Sequence, residues 1–117
     1  MKTLTIKQKV QVNYNFPVVF TDNAFDAENK ALAKALLSNN RRSAKVLVVV
    51  DENVHKAHPK LMQQLKSYAL VNQIELIKKP LIVTGGEAVK GQNSVLEDIY
   101  QLVADEKIDR HSYILAI

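Results

Sequence analysis

The sequence predicts one α/β domain built around a mostly parallel sheet, with helices on the faces of the sheet. Residues 46–50 form a continuous, β-branched apolar run, which is typical of a strand covered on both faces and therefore of a parallel sheet. Helical and strand-like segments alternate with short connections between them, as in right-handed βα units. The length of 117 residues, with 47% hydrophobic and 24% charged residues, fits one ordinary globular domain. These features together predict a Rossmann-like fold.

The first 22 residues are predicted to form a β-ribbon. Along the first strand, polar residues alternate with the apolar residues Leu4, Ile6, Val10 and Val12. Gln8 is the one interruption of the apolar face. A second extended piece covers residues 15–21, where Pro17 favours an edge position because it cannot donate a backbone hydrogen bond. Residues 23–44 are expected to hold a helix and a linker, with Asp26 capping a helix over residues 27–37.

Residues 45–117 are predicted to form the βα units. After the strand at 46–50, Pro59 suits the first turn of a helix that ends near residue 72. The spacing i, i+4, i+7 and i+8 predicts an apolar stripe on this helix, formed by Leu61, Leu65, Tyr68 and Ala69. Short strands at 74–77 and 81–83 are divided by Pro80, which makes one uninterrupted central strand improbable. Ser94 and Glu97 form a capping box that opens a third helix. A further buried strand is expected at 112–117, so the domain is predicted to be truncated inside a strand.

Composition excludes several classes of function. The chain has no cysteine, which excludes disulfides and thiolate metal sites and fits a cytoplasmic protein. No apolar run approaches the length of a signal sequence or a membrane span, so no membrane partner is expected. The net charge of +4 is scattered along the chain, which argues against nucleic acid. His55 and His58 have no third ligand nearby, so we expect no metal site. The sequence contains no Gly-x-Ser-x-Gly motif and no convincing acid–base pair, so we expect no catalytic residue in these 117 residues.

The glycines of the chain are concentrated after the strand at 81–83. Gly85, Gly86 and Gly91 are the only glycines of the chain, and they flank Glu87 and Lys90. Glycine lets backbone amides approach a ligand closely, a carboxylate accepts hydrogen bonds from ribose hydroxyls, and an ammonium donates to hydroxyls or phosphates. The spacing matches neither the dinucleotide fingerprint nor the P-loop, so a plain strand-to-helix turn is the alternative.

A second candidate motif follows the strand at 46–50. Asp51 can accept hydrogen bonds from ribose hydroxyls, and the Asn53 amide can bond an adenine edge. In open α/β sheets, ligands bind beyond the carboxyl ends of the strands, where these residues lie. Helix capping explains the same Asp-Glu-Asn sequence equally well.

Taken together, the motifs resemble the N-terminal part of 3-dehydroquinate synthase, over residues 45–117. The most specific element is Gly-Gly-Glu-x-x-Lys at residues 85–90, one helix downstream of a strand that ends in Asp-x-Asn. Ser94, Asp109-Arg110 and the strand from residue 113 also match the pattern. Thr84 departs from the proline or aspartate that usually precedes the glycines. The N-terminus looks more like that of sedoheptulose 7-phosphate cyclases and synthase-like relatives, which leaves the sugar phosphate substrate open.

The resemblance implies the NAD-binding portion of a sugar phosphate cyclase, a lyase that eliminates phosphate and closes a carbocycle. The family's NAD contacts fall on Asp51, Asn53, Glu87 and Lys90, around the adenosine half of NAD, while Gly85 and Gly86 shape the turn. The family's zinc or cobalt ligands and its substrate-binding residues lie in a helical C-terminal domain absent from this sequence. The family also implies a homodimer. A stand-alone nucleotide- or protein-binding module without catalysis is the alternative.

Overall fold

The computed structural model describes residues 2–38, 41–77, 79–84 and 93–117. From residue 31 onward the elements are α1 (Ala31–Leu36), β1 (Ala44–Asp51), α2 (Glu52–Ala57), α3 (Leu61–Val71), β2 (Ile74–Leu76), β3 (Leu81–Val83), α4 (Asn93–Asp105) and β4 (Tyr113–Ala116). Two helices, α2 and α3, are consecutive, and so are the strands β2 and β3. Within these described ranges, no helix has the length and apolar character needed to cross a membrane.

β1 is the central strand of a parallel sheet. β2 pairs with its first half, from Ala44 opposite Ile74, and β3 pairs with its second half, up to Asp51 opposite Val83. β4 pairs with the middle of β1 along the other edge. The backbone bonds agree with this order, since Ala44 donates to Gln73 while Asp51 donates to Ile117. The α/β class and the parallel sheet are therefore confirmed.

The two short strands lie one after the other along the same edge of β1. They are separated by residues 77–80, and this break agrees with the interruption predicted at Pro80. Proline has no backbone N–H and cannot continue the ladder. The Ile77 amide still donates to the Val46 carbonyl over 3.0 Å, so hydrogen bonding to β1 extends one residue past β2.

The main core lies between one face of the sheet and the helices α1 and α3. Alternate residues of β1 supply the sheet side of this core: Ala44, Val46, Val48 and Val50. From the helices, Leu36, Leu65 and Tyr68 pack against them. The predicted stripe of α3 is thus confirmed, because Leu61, Leu65, Tyr68 and Ala69 are all buried.

The opposite face of β1 is covered as well. Leu47 is fully buried although it points away from the main core, because side chains alternate along a strand. Lys45 lies on the same face and donates to the carbonyl of Glu106, just after α4. Helices therefore lie on both faces of the sheet, as the continuous apolar run predicted.

The predicted N-terminal β-ribbon is wrong. Residues 2–20 adopt no helix or strand, and every one of them is exposed to solvent. An isolated two-stranded ribbon is marginally stable in water unless a third strand or a helix covers one face. No such cover is present in the described part of the chain, so alternation alone does not produce a strand here.

The first helix begins later than predicted, at Ala31. The Asp26 carboxylate accepts from the amide of Glu28 over 2.9 Å, and the Asp26 carbonyl accepts from the amide of Asn29. Asn29 then accepts from the Ala31 amide over 3.0 Å through its side chain. Asp26 therefore closes a turn and not a helix, since short polar side chains compete for nearby backbone amides.

The last strand is half-buried, so the prediction of a buried strand at 112–117 is wrong. Tyr113 and Leu115 pack against the main core, whereas Ile114 is 51% exposed on the other face. β4 pairs with β1 along one edge, and no described strand pairs with the other. An apolar run therefore indicates a strand but does not reveal its position in the sheet.

Candidate functional site

Three chain segments meet at the carboxyl end of β1. The Asp51 amide donates to the Ile117 carbonyl over 2.8 Å, which brings the end of β4 beside the end of β1. Val83, the last residue of β3, is paired with Asp51, so Thr84 leaves the sheet at the same place. This edge is where ligands bind in open α/β sheets.

Asp51 caps α2. Its Oδ1 atom accepts from the amide of Asn53 over 2.8 Å and from the amide of Val54 over 3.3 Å. The alternative interpretation of the Asp-Glu-Asn sequence, that it caps a helix, is therefore confirmed. Within the described residues Oδ2 accepts no hydrogen bond, so this half-buried carboxylate keeps one oxygen that can accept from a ligand hydroxyl.

The short helix α2 was not predicted from the sequence. It begins directly at Glu52, so the carboxyl end of β1 runs into a helix without a loop. Two local signals could have revealed it: the capping aspartate, and the pair Glu52 and Lys56 at the helical i, i+4 spacing. The helix is only six residues long, too short for its apolar pattern to be recognised.

Glu52 connects α2 to the end of β3 and was missed as a candidate site residue. Its Oε1 lies 3.0 Å from the Nζ of Lys56. Its Oε2 accepts from the Thr84 hydroxyl over 3.4 Å. Thr84 precedes Gly85 in the sequence, so Glu52 helps to position the point at which the chain enters the glycine motif.

The charge of Glu52 is stabilised by these contacts. The hydrogen bond and the charge of Lys56 hold the pKa of Glu52 below its ordinary value, and the Thr84 hydroxyl lowers it further. A carboxyl whose pKa is lowered by folding stabilises the fold above its unfolded-state pKa. That contribution is lost as the pH falls through the folded-state pKa.

We expect an NMR titration of the Glu52 carboxyl to show a midpoint below that of an unfolded peptide. The variant Lys56→Met removes the hydrogen bond and the positive charge, so the midpoint should rise toward the ordinary value. Lys60→Met, at an exposed position just before α3, is the control and should leave the midpoint unchanged. An unchanged midpoint in Lys56→Met would contradict the ion pair.

The predicted site residues fall into two groups. Asp51 and Asn53 lie together at the carboxyl end of β1, and the Asn53 side chain is exposed there. The other four predicted residues, which belong to the glycine motif, lie outside the described residues: Gly85, Gly86, Glu87 and Lys90. The motif follows Thr84 directly, and Thr84 contacts Glu52. The helix predicted from the capping box begins at Asn93, so Ser94 lies in its first turn.

His55 lies in α2 and His58 directly follows it. Across the described ranges, no group of three His, Asp or Glu side chains could hold an ion. His55 is partly buried in α2, whereas His58 is exposed at its end.

Comparison of the chain with models of known families, with curated proteins and with solved structures finds no match in any of the three.

Proposed function

We propose that this chain is the NAD-binding portion of a sugar phosphate cyclase resembling 3-dehydroquinate synthase. The observation that carries the proposal is the pairing of Asp51 with Val83 across β1 and β3. This pairing puts the Asp-x-Asn sequence beside the residue from which the Gly-Gly-Glu-x-x-Lys motif continues. The glycine motif thus begins, in the sequence, two residues after the strand end that lies beside Asp51.

The residues present suit the adenosine half of NAD. Asp51 keeps one carboxylate oxygen available for a ribose hydroxyl, and Asn53 offers an exposed amide beside it. By resemblance, Glu87 and Lys90 add a second acceptor and a donor from the glycine motif. When bound in such a cyclase, NAD supplies transient oxidation of a substrate hydroxyl.

The other properties that we propose for the whole enzyme follow from the resemblance. They are a phosphate-eliminating lyase activity on a sugar phosphate, a zinc or cobalt ion held outside this segment, a homodimer and a cytoplasmic location. The role of residues 1–117 in that scheme is to hold the cofactor.

The test is a titration of the chain with NAD, in which binding is measured by amide NMR shifts and by calorimetry. We expect shifts at Asp51, Asn53 and Thr84, with competition by AMP and none by nicotinamide mononucleotide. Glu87→Ala and Lys90→Ala should each weaken binding by about 1–3 kcal/mol, because each removes a charge-assisted hydrogen bond.

Glu75→Ala is the matched control for these charge variants. Glu75 is exposed on β2 and is paired with Lys45, at the opposite end of β1 from Asp51. Its removal should leave NAD affinity unchanged. The proposal fails if NAD at millimolar concentration shifts none of the amides at the carboxyl edge, or if both motif variants bind as tightly as the parent chain.

A further inference from the structure

Two arginines and a histidine meet at the amino edge of the sheet, opposite to the candidate cofactor site. β1 and β4 are parallel neighbours, so the segments that precede them lie at the same edge. Arg41 precedes β1, whereas Arg110 and His111 precede β4. β1 extends from Ala44 to Asp51, which is about 23 Å at the rise of an extended strand. A ligand held here is therefore distinct from one bound at the carboxyl edge.

Arg41 is held against His111 by two contacts. Its Nη1 atom donates to the His111 carbonyl over 2.9 Å, and its Nη2 atom lies 2.6 Å from Nδ1 of the His111 ring. The Arg41 side chain is half-buried. A guanidinium group has donors only, so Nδ1 must accept in this contact. The neutral ring therefore carries its proton on Nε2.

The other nitrogen of the same ring faces a second arginine. Nε of Arg110 lies 3.2 Å from Nε2 of His111, with its N–H directed at the ring. A neutral imidazole accepts at one nitrogen only, and that nitrogen already faces Arg41. The contact between Arg110 and His111 thus brings two N–H donors together. Two adjacent donors are favourable only when an acceptor takes both hydrogen bonds.

No carboxylate of the described ranges pairs with these arginines. Among those residues, the ion pair that forms is the one inside α2, between Lys56 and Glu52. Asp109 lies in the turn before β4, where its Oδ1 accepts from the His111 amide over 2.8 Å and from the Ser112 hydroxyl over 3.0 Å. The Asp109 carboxylate therefore shapes the turn that presents His111.

A phosphate group suits this set of donors. The planar guanidinium group donates parallel hydrogen bonds to the oxygens of a phosphate, and these charge-assisted bonds are strong. A phosphate monoester carries about 1.5 to 2 negative charges at pH 7, which two guanidinium groups can balance. Arg110 and His111 are exposed, so an anion can reach both from solvent.

We propose that Arg41, Arg110 and His111 form a binding site for the phosphate group of a small molecule. Arg110 and Nε2 of His111 donate to the phosphate oxygens. Arg41 holds the imidazole in the tautomer that donates and adds a second positive charge. The inference is independent of the proposed cofactor site, so a failed NAD titration leaves it intact.

The first test is an NMR titration with inorganic phosphate and, in parallel, with glycerol 3-phosphate, at constant ionic strength. We expect saturable shifts of the His111 ring nitrogens and of the amides of residues 110–112, with the rings of His55 and His58 unchanged. Tighter binding of glycerol 3-phosphate identifies a phosphate ester as the ligand, and equal binding identifies the free anion. Before phosphate is added, the His111 ring should carry its proton on Nε2.

The second test compares two variants that lose the same charge. Arg110→Gln should raise the dissociation constant of phosphate about tenfold or more, because it removes a charge-assisted donor. Arg110→Lys keeps the charge without the planar group and should recover part of the affinity. Arg42→Gln is the matched control, since Arg42 is exposed and, within the described residues, makes no side-chain hydrogen bond. Its effect should be no more than about twofold.

Three results would overturn the proposal. The first is the absence of any saturable shift at His111 with millimolar phosphate. The second is a free ring with its proton on Nδ1. The third is an equal loss of affinity in Arg110→Gln and Arg42→Gln, which would indicate general attraction to a basic surface. Because Arg110 and Arg42 are both exposed, circular dichroism should show that each variant folds like the parent chain.

Discussion

Replacing Tyr68 by alanine is expected to reduce the free energy of unfolding by about 3–5 kcal/mol, as for other large aromatic residues in a core. Tyr68 is 1% exposed and contacts the Phe25 ring edge to face. Its hydroxyl donates to the Asn29 carbonyl over 2.8 Å and accepts from the Ala33 amide over 3.0 Å. One side chain therefore joins α3, α1 and the turn before α1. Such a loss is a large part of the 5–15 kcal/mol typical of a domain.

The measurement is urea unfolding followed by circular dichroism, with Leu70→Ala as the matched control. Leu70 lies in the same helix but is 85% exposed, so its replacement should change stability by no more than about 0.5 kcal/mol. Tyr68→Phe keeps the ring and removes the hydroxyl, so it should cost about 1–3 kcal/mol through the two unpaired backbone groups. Equal stability of Tyr68→Ala and Leu70→Ala would contradict this packing of α3 and α1.

Replacing Leu47 by alanine is the second substitution with a large expected effect. It should reduce the free energy of unfolding by about 2–5 kcal/mol. Leu47 is fully buried and lies on the face of β1 opposite the main core. Its burial therefore reports whether that second face is covered. Ile82→Ala is the control, because Ile82 lies on the edge strand β3 and is substantially exposed. If both variants lose equally little stability, the second face of the sheet is open in solution.

For some elements, the residues of a single segment were sufficient to predict the structure. The apolar run of β1, the stripe of α3 and the break at Pro80 each depend on residues within one segment, and all three predictions are confirmed. Such patterns report how a segment buries its own side chains. Residues 2–20 show the limit of such patterns, because period-two alternation predicts a strand only where another element covers the apolar face.

The candidate site was predictable in part. Strand ends and polar residue types pointed to Asp51 and Asn53, and the structure brings both to the carboxyl edge of the sheet. The role of Glu52 depends on Thr84, which is 32 residues away in the sequence. No local pattern encodes a contact at that separation. It arises only because β3 pairs with the second half of β1.

The sequence by itself determined the α/β class and the central parallel strand, because side-chain periodicity is a local property. The tertiary structure alone decided the order of the strands, the burial of one face of β4 and the exposure of residues 2–20. The physical reason is that a strand or an apolar face is stable only against a partner. The position of that partner is set by pairing between segments far apart in the chain.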